Sequence, residues 1–499
     1  MNSIQLYYSP LLYNVPVNIS SQLPLYVDLD GTVVRGDTLL ESALQILRRK
    51  PLLLLCMLGW LLRGKTYFKT QLANRMIPEP AALAYHEDFV AFLREQKSAG
   101  RLMYLYSAAD ERIVATVSQY LGLFDGYLGT RSTGNNLRGA AKLSAIQQHA
   151  KDAGHTQWAY AGDSKVDIPI WQASHEIVAV AANASVMRAV SNLGKPLRSF
   201  PGYAFSFRTW IRSLRLVQWA KNFLIFVPLL ASHTSAPDRW LAAGLGFIAL
   251  GLCASATYLI NDLLDLGSDR QHRVKRSRPL AAGKISIPHA LGAAVVLLTA
   301  GLWLASAIRL DFLALLCLYC VVTLSYSLHL KRIALVDVVI LASLYSLRLF
   351  AGAAAVMLPL SNWLVAFSAF IFLSLALAKR CAELEEATEK SQSLSPGRGY
   401  LVEDLASLRS MGVASGLLSV LVLSLYIDSN NGRALYAQPA WLWGLCPLMM
   451  LWIMRIWQQV GRRQLQGEDP LQHALSDVWS WYILAAMAAS VFMAKGVWL

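Results

Sequence analysis

Two hydrophobic rhythms divide the chain. In the first part, short apolar runs stop at acidic or glycine-containing turns; in the second, long apolar runs follow one another with brief polar breaks. The short runs are PLYVDLD at 24–30, RLMYLYS at 101–107 and QWAYAGD at 157–163, each predicting a short buried strand. They alternate with helical stretches such as ERIVATVSQYLGLF, the order of an α/β unit with a parallel sheet and crossover helices. Ligands of such a sheet belong at the carboxyl ends of its strands. A mostly helical insert, a cap over about 40–95, separates the first two strands and contains PLLLLCMLGWLL at 51–62. A dozen apolar residues fall short of a bilayer core of about 30 Å. The run is therefore either a buried cap helix or a helix resting on the membrane surface, and a lipid substrate would favour the second.

From Arg208 onward nine stretches reach spanning length, near 214–232, 240–260, 289–308, 311–328, 334–356, 362–378, 411–427, 439–457 and 479–498. They predict an all-α membrane unit of nine helices over 206–499, after an α/β unit over 1–205. With the N-terminus inside, RQHRVKRSRPLAAGK, LKR, AKRCAEL and VGRRQ face the cytoplasm and the opposite loops hold few basic residues, as the positive-inside rule requires.

Composition supports this division. In 499 residues, 55% are hydrophobic and 15% charged, with a mean hydropathy of +0.41, far from an average soluble chain. The net charge of +14 fits cytoplasmic loops beside anionic lipid better than a nucleic-acid partner, which is not expected. Six cysteines scattered mostly through apolar runs give no disulfide framework, and Cys317 and Cys320 read as packing residues. The start, MNSIQLYYSPLLYN, lacks a basic segment followed by an apolar core, so no cleavable signal is expected and the first unit should stay in the cytoplasm.

The first chemical constellation begins at Asp28 and Asp30, where D-x-D puts two carboxylates on one tight turn, one to attack phosphorus and one to move a proton. Ser107 closes the second strand, Lys142 follows in NLRGAAKLSAI, and GDSKVD supplies Asp163 and Asp167 after the third. In this order the residues resemble the motifs of the haloacid dehalogenase superfamily, over residues 24 to about 200. The resemblance implies that Asp28 becomes an aspartyl phosphate, Asp30 serves as acid and base, Ser107 and Lys142 hold phosphoryl oxygens, and Asp28, Asp30 and Asp163 bind Mg²⁺. Asp167 is expected to orient the site. Carboxylates around a hard cation suit magnesium, and metal plus lysine offset the charge of a transferring phosphoryl group.

The second constellation is NDLLDLGSDR at the end of the second span, with Asn261, Asp262, Asp265 and Asp269. On one continuous helix, offsets of three and seven residues turn by about 300° and 700°, which puts the three aspartates on one face. Such a face beside a bilayer, followed by Arg273, Lys275, Arg276 and Arg278, is arranged for Mg²⁺ carrying a diphosphate, with the basic residues taking the remaining charge. N-D-x-x-D-x-x-x-D resembles the first motif of the UbiA superfamily of intramembrane prenyltransferases, which implies nine helices around a central cavity over about 210–498. KNFLIFVPLL, RSRPLAAG, YSLHLKRIALVD, LRLFAG and AKRCAEL are most similar to its decaprenyl-phosphate phosphoribosyltransferase branch. The second aspartate motif expected of prenyltransferases after the sixth helix is absent; Lys379, Arg380 and Glu383, followed by Glu385 and Glu386, stand there. Asp337 and Arg348 lie within about 20° on the fifth span, and intramembrane charges mark functional sites by default. Lys221, Asn222 and Lys331 complete the candidates for substrate binding; Lys221 and Lys331 could equally snorkel.

These resemblances imply a bifunctional membrane enzyme. Its membrane unit would transfer 5-phosphoribosyl from phosphoribosyl diphosphate to a polyprenyl phosphate, and its first unit would then remove the product's 5-phosphate. A prenyltransferase that moves an isoprenoid from its diphosphate to a small acceptor, beside an independent phosphatase, is the alternative. A transporter or lipid-binding scaffold is disfavoured because no internal repeat is evident. Lipid chain length, oligomeric state and transfer of intermediate between sites stay open.

Overall fold

The structure, a computed structural model, describes residues 23–131, 136–389, 399–465 and 470–496. The expectation drawn from the first fourteen residues, and the last residues of the ninth apolar stretch, lie outside them. The chain divides into two compact units, one of Met1–Ser213 with Asp262–Leu291, the other of Leu214–Asn261 with Gly292–Leu499.

The first unit is built on a parallel sheet of six strands in the order β3-β2-β1-β4-β5-β6: β1 Leu25–Val27, β2 Met103–Asp110, β3 Gly126–Thr130, β4 Ala159–Gly162, β5 Glu176–Val180 and β6 Leu197–Phe200. The apolar patterning predicted three of them. β3 and β6, GYLGT and LRSF, are edge strands whose mixed polarity leaves no apolar run to read, and the five-residue EIVAV of β5 carries no acidic turn to draw notice. Alternation along β1 sorts its side chains between two cores. Leu25 and Val27 join Leu105, Ala161 and Phe89 on one face, while Tyr26 joins Tyr160, Trp158 and Trp171 on the other. Because both faces are covered, the central strands β1 and β4 are apolar throughout. Val27 pairs with Leu105 on one side and Ala161 on the other, so β1 and β4 end side by side, while β2 runs on past Ser107, its expected end, to Asp110.

The cap between β1 and β2 opens with α1 (Thr38–Arg49), α2 (Leu53–Leu62) and α3 (Lys65–Ala73). Asp37 starts α1 by accepting hydrogen bonds from the amides of Leu39 and Leu40 at 2.9 and 3.2 Å. The reading of 51–62 as a buried cap helix is corrected here: in α2 only Met57 is buried, joining a small core of Ala43, Ile46 and Leu72 against which Leu53 and Trp60 pack in part.

The second unit is helical. Among the described residues, seven helices are long and apolar enough to cross a membrane, and up to nine spans result if each of two bent pairs counts as one. The bends lie at the start of the first expected stretch and just before the last. The first breaks by 46° between Phe207–Leu214 and Leu216–Ala231, where Arg215 takes φ 52° and a 3-10 segment follows. Ser255 seals the break, its hydroxyl donating to the Leu214 carbonyl at 2.8 Å and accepting from the Trp219 indole at 3.0 Å. The last bends by 85° at Asp477, whose carboxylate caps the new helix through the Ser480 amide at 3.1 Å. Helix Val336–Val356 meets the 3-10 segment at Gly352, where an added Cβ would lie 2.2 Å from the Ile225 carbonyl oxygen.

Candidate functional sites

Asp28 immediately follows β1 and Asp163 immediately follows β4, so strand order alone brings them together. Asp28, Asp163 and Asp167 each offer an oxygen within 4.8 Å of the others, the sole such acidic, histidine or cysteine group of three among the described residues. Gly31, at φ +78°, makes this approach possible, since a Cβ there would stand 2.3 Å from Asp163 Oδ2.

The aspartates are held differently. Asp28 Oδ1 accepts from the Leu29 amide at 2.8 Å, and its Oδ2 meets the buried Lys142 Nζ at 2.7 Å. Asp167 accepts from the Tyr160 hydroxyl at 2.8 Å and the Ser164 hydroxyl at 2.9 Å, a fixed geometry suited to orienting Lys142, 3.9 Å away. Asp30 lies beside the cluster with Oδ1 on the Thr38 amide at 2.9 Å, which ties the motif to the first turn of α1. Ser107 is buried on β2 and its hydroxyl accepts from the Ala109 amide at 3.1 Å. Tyr160, whose hydroxyl also receives Lys142 at 3.1 Å, was not singled out from the sequence, although it stands three residues before Asp163 within QWAYAGD.

Burial pushes the Asp28 carboxyl up while Lys142 pulls it down. Burial, then the charge of Asp37, lifts Asp30 to about 7; burial, then Asp28 and Asp167, lifts Asp163 to about 8. One lysine is too little positive charge for this many buried carboxylates. A divalent cation fits the deficit, and the oxygens that Asp28, Asp163 and Asp167 bring together could hold one. The surrounding cleft, about 530 Å³, adds Arg35, Lys69 and Arg138 to Lys142, three cations that sequence reasoning missed; Arg138 stands four residues before Lys142 within NLRGAAKLSAI, whereas Arg35 and Lys69 lie outside the quoted segments. They suit a phosphate-bearing ligand.

The Asp262 segment departs from the continuous helix expected of it. Helix Pro237–Leu264 stops before Asp265, which takes φ −88° and ψ 3° and begins the short helix Leu266–Gln271. The break falls at Asp265, the middle aspartate of the three. Arg278 nevertheless gathers two of the three, its Nη1 lying 3.3 Å from Asp262 and 2.6 Å from Asp269, both buried. Asp265 instead pairs with Arg48 of α1 at 3.2 Å. One residue later in the chain than Asp269, Arg270 forms a buried pair with Glu41 of α1 at 2.8 Å. Arg273, Lys275 and Arg276 are exposed, and Asn261 is half-buried.

In the helical unit, Asp337 and Arg348 do not meet. Arg348 donates to Asn222 Oδ1 at 3.2 Å, the Tyr319 hydroxyl at 3.0 Å and the Leu344 carbonyl at 2.6 Å. Asn222 is 1% exposed, and its amide nitrogen has no protein partner, an unmet donor of the kind a polar ligand satisfies. Asp337 accepts from the Tyr400 hydroxyl and pairs with Arg380 Nε at 2.5 Å; Arg380 also binds Glu383 and the Tyr326 hydroxyl. Arg380 is therefore engaged by two carboxylates. Lys221 lies over the Tyr345 ring at 5.7 Å, while Lys331 and Lys379 are half-buried.

Comparison with known proteins matches residues 223–476 to the UbiA prenyltransferase family and residues 25–172 to haloacid dehalogenase-like hydrolases. The chain is 37% identical over 477 residues to a Sinorhizobium fredii protein named Uncharacterized protein y4nM, covering 95% of this chain and 91% of that one. It is 34% identical over 232 residues to the Decaprenyl-phosphate phosphoribosyltransferase of Mycobacterium tuberculosis, covering 44% of this chain and 74% of that one. A solved UbiA homolog from Archaeoglobus fulgidus, bound to GPP and Mg²⁺, aligns over 57% of this chain and 99% of its own at 17% identity, with a TM-score of 0.42.

Proposed function

We propose that this chain, which belongs to the UbiA prenyltransferase family and carries a haloacid dehalogenase-like hydrolase domain ahead of it, is a membrane enzyme that makes and then dephosphorylates a polyprenyl phosphoribose. The observation that carries the first step is the likeness over 232 residues to a decaprenyl-phosphate phosphoribosyltransferase. The lipid phosphate oxygen attacks ribose C1 of phosphoribosyl diphosphate, and the C1–O bond to diphosphate breaks. Asp262, Asp265 and Asp269 would hold Mg²⁺, which would offset charge on the leaving diphosphate. Arg273, Lys275, Arg276 and Arg278 take diphosphate charge as it leaves, and Lys221, Asn222, Lys331 and Lys379 serve the remaining polar groups of the substrates. No nucleophile from the protein is needed.

In the second step Asp28 attacks the 5-phosphate and Asp30 protonates the departing sugar oxygen. Asp30 then takes a proton from water, which attacks phosphorus, frees phosphate and restores Asp28. Lys142 holds Asp28 in line and offsets charge on the phosphoryl oxygens, and Ser107 helps to bind them. Magnesium, when bound, supplies further neutralisation of phosphate oxygens at both centres. Both active sites work on the cytoplasmic side of the membrane.

Membranes containing the protein, supplied with labelled phosphoribosyl diphosphate or labelled prenyl diphosphate, test the first step: label from the former should enter the lipid fraction. Transfer from prenyl diphosphate to a small acceptor alone would replace this reading with that of a prenyltransferase, which the family match favours. The second step predicts that Asp28→Asn accumulates 5-phosphorylated lipid, and no accumulation would remove it.

A further inference from the structure

The cap carries a helix that its own domain leaves uncovered. α2, LLLCMLGWLL, has no charged or amide side chain, and Met57 is its one buried residue. Leu54, Leu55, Leu58 and Leu61 are 50%, 74%, 56% and 50% exposed, and Leu52 and Leu62 at its ends 85% and 90%. A helix apolar all round is ordinarily covered on every side, and a contiguous exposed patch marks an interaction surface. At about 15 Å, ten helical residues cannot cross a core of about 30 Å.

The charges around α2 indicate what covers it. Arg49 and Lys50 stand exposed before the helix and Arg63 after it, and Arg75 stacks on the Trp60 ring at 4.3 Å. An apolar body with cations at both ends and an indole at its edge complements acyl chains beneath anionic headgroups. The helices that span the membrane in the same chain keep lipid at hand. The uncovered face also runs into the phosphatase cleft, because Leu61 lines that cleft with Phe68, Leu72, Asp28 and Asp163.

We propose that α2 lies in the headgroup–acyl boundary of an anionic bilayer, so that the phosphatase takes a phosphomonoester borne by a lipid in preference to a soluble one. The second half rests on the phosphatase reading above; the first does not. The full chain, reconstituted in vesicles containing phosphatidylglycerol, is spin-labelled at Cys56, exposed on α2, with the other five cysteines replaced by serine. Collision with oxygen should exceed collision with an aqueous nickel chelate, as for a label in lipid. The opposite order overturns the proposal. So does spin–spin broadening that vanishes on dilution with unlabelled protein, which would mean a second copy covers α2. Shielding from both reagents that is lifted by deleting residues 1–22 would mean the chain's own start covers it, and also overturns the proposal. In the same vesicles, L54E/L55E/L58E should lower hydrolysis of a long-chain alkyl phosphate at least tenfold and leave p-nitrophenyl phosphate hydrolysis unchanged. Equal rates on the alkyl phosphate overturn the substrate half. Hydrolysis of neither compound by the parent protein removes the phosphatase reading, and the label still decides where α2 lies.

Discussion

In the sheet unit, Asp28 and Asp163 are 135 positions apart and reach one point because neighbouring strands end there, whereas Asp262, Asp265 and Asp269 are close in sequence and answer to two different arginines, Arg278 meeting the first and last and Arg48 the one at the helix break. Topology brings residues together more securely than a short motif does when the helix under that motif can stop. Compensation of charge differs as well. The buried pocket has one lysine on Asp28 and a remaining deficit that suits a cation. In the 262–269 segment Arg278 and Arg48 already answer the aspartates, so a ligand that arrives with its own metal must take these arginines over.

The largest effect should come from Asp28→Asn, which removes the attacking oxygen. Phosphatase turnover should fall by about a thousandfold or more, while phosphoribosyl transfer stays within about twofold. A release assay for inorganic phosphate beside the labelled-donor assay checks both. Parallel loss of the two activities would erase the distinction between the centres.

Next comes the buried pair of Glu41 and Arg270, whose side chains are 3% and 9% exposed. Arg270→Met strands a buried carboxylate, and breaking such a pair costs about 3–5 kcal/mol. Thermal unfolding of the full chain should show this loss, and Glu41→Leu combined with Arg270→Met should recover most of it, because two apolar side chains leave no charge unpaired. A double variant as unstable as the single one would show that the pair does more than neutralise itself.

Much of this was legible beforehand, for identifiable reasons. Three central strands announced themselves because they are buried on both faces and end in acidic turns; the edge strands are half-polar and did not. Asp28, Lys142 and Asp163 were readable as motif residues. Arg35, Lys69 and Arg138 were not, since only the folded cleft gives these cations a common destination, even though Arg138 stands four residues before Lys142. Likewise the break at Asp265 has no proline to signal it. Helical periodicity assumes a continuous axis, and the pairs from Asp265 to Arg48 and from Arg270 to Glu41 are long-range contacts that local spacing does not contain. Arg380 was read as a substrate group from its place in KRCAEL, yet its bonds to Asp337 and Glu383 appear only once the helices are packed.

Arg278→Gln addresses the second centre at a smaller scale. It removes a side chain shared by Asp262 and Asp269, and a charged hydrogen bond is worth about 1.5–3 kcal/mol. If Arg278 passes from the aspartates to the diphosphate, the Michaelis constant for labelled donor should rise about tenfold or more with little change for the lipid acceptor. An equal rise for both substrates would assign Arg278 to the fold instead.

The smallest effect separates hydrogen bonding from charge at the entrance to the cap. Asp37 caps α1 through the Leu39 and Leu40 amides, and α1 also carries the Thr38 amide that fixes Asp30. Asp37→Ala should cost about 1 kcal/mol, whereas Asp37→Asn keeps an acceptor and should cost a few tenths at most. If thermal unfolding gives the two variants the same loss, the carboxylate acts on α1 through its charge at the helix start and not through the bonds it accepts. The cap would then resemble the 262–269 segment, where acidic groups are placed by the charges they face. If only alanine is costly, hydrogen bonds from the backbone place this carboxylate, as the Leu29 amide helps to place Asp28.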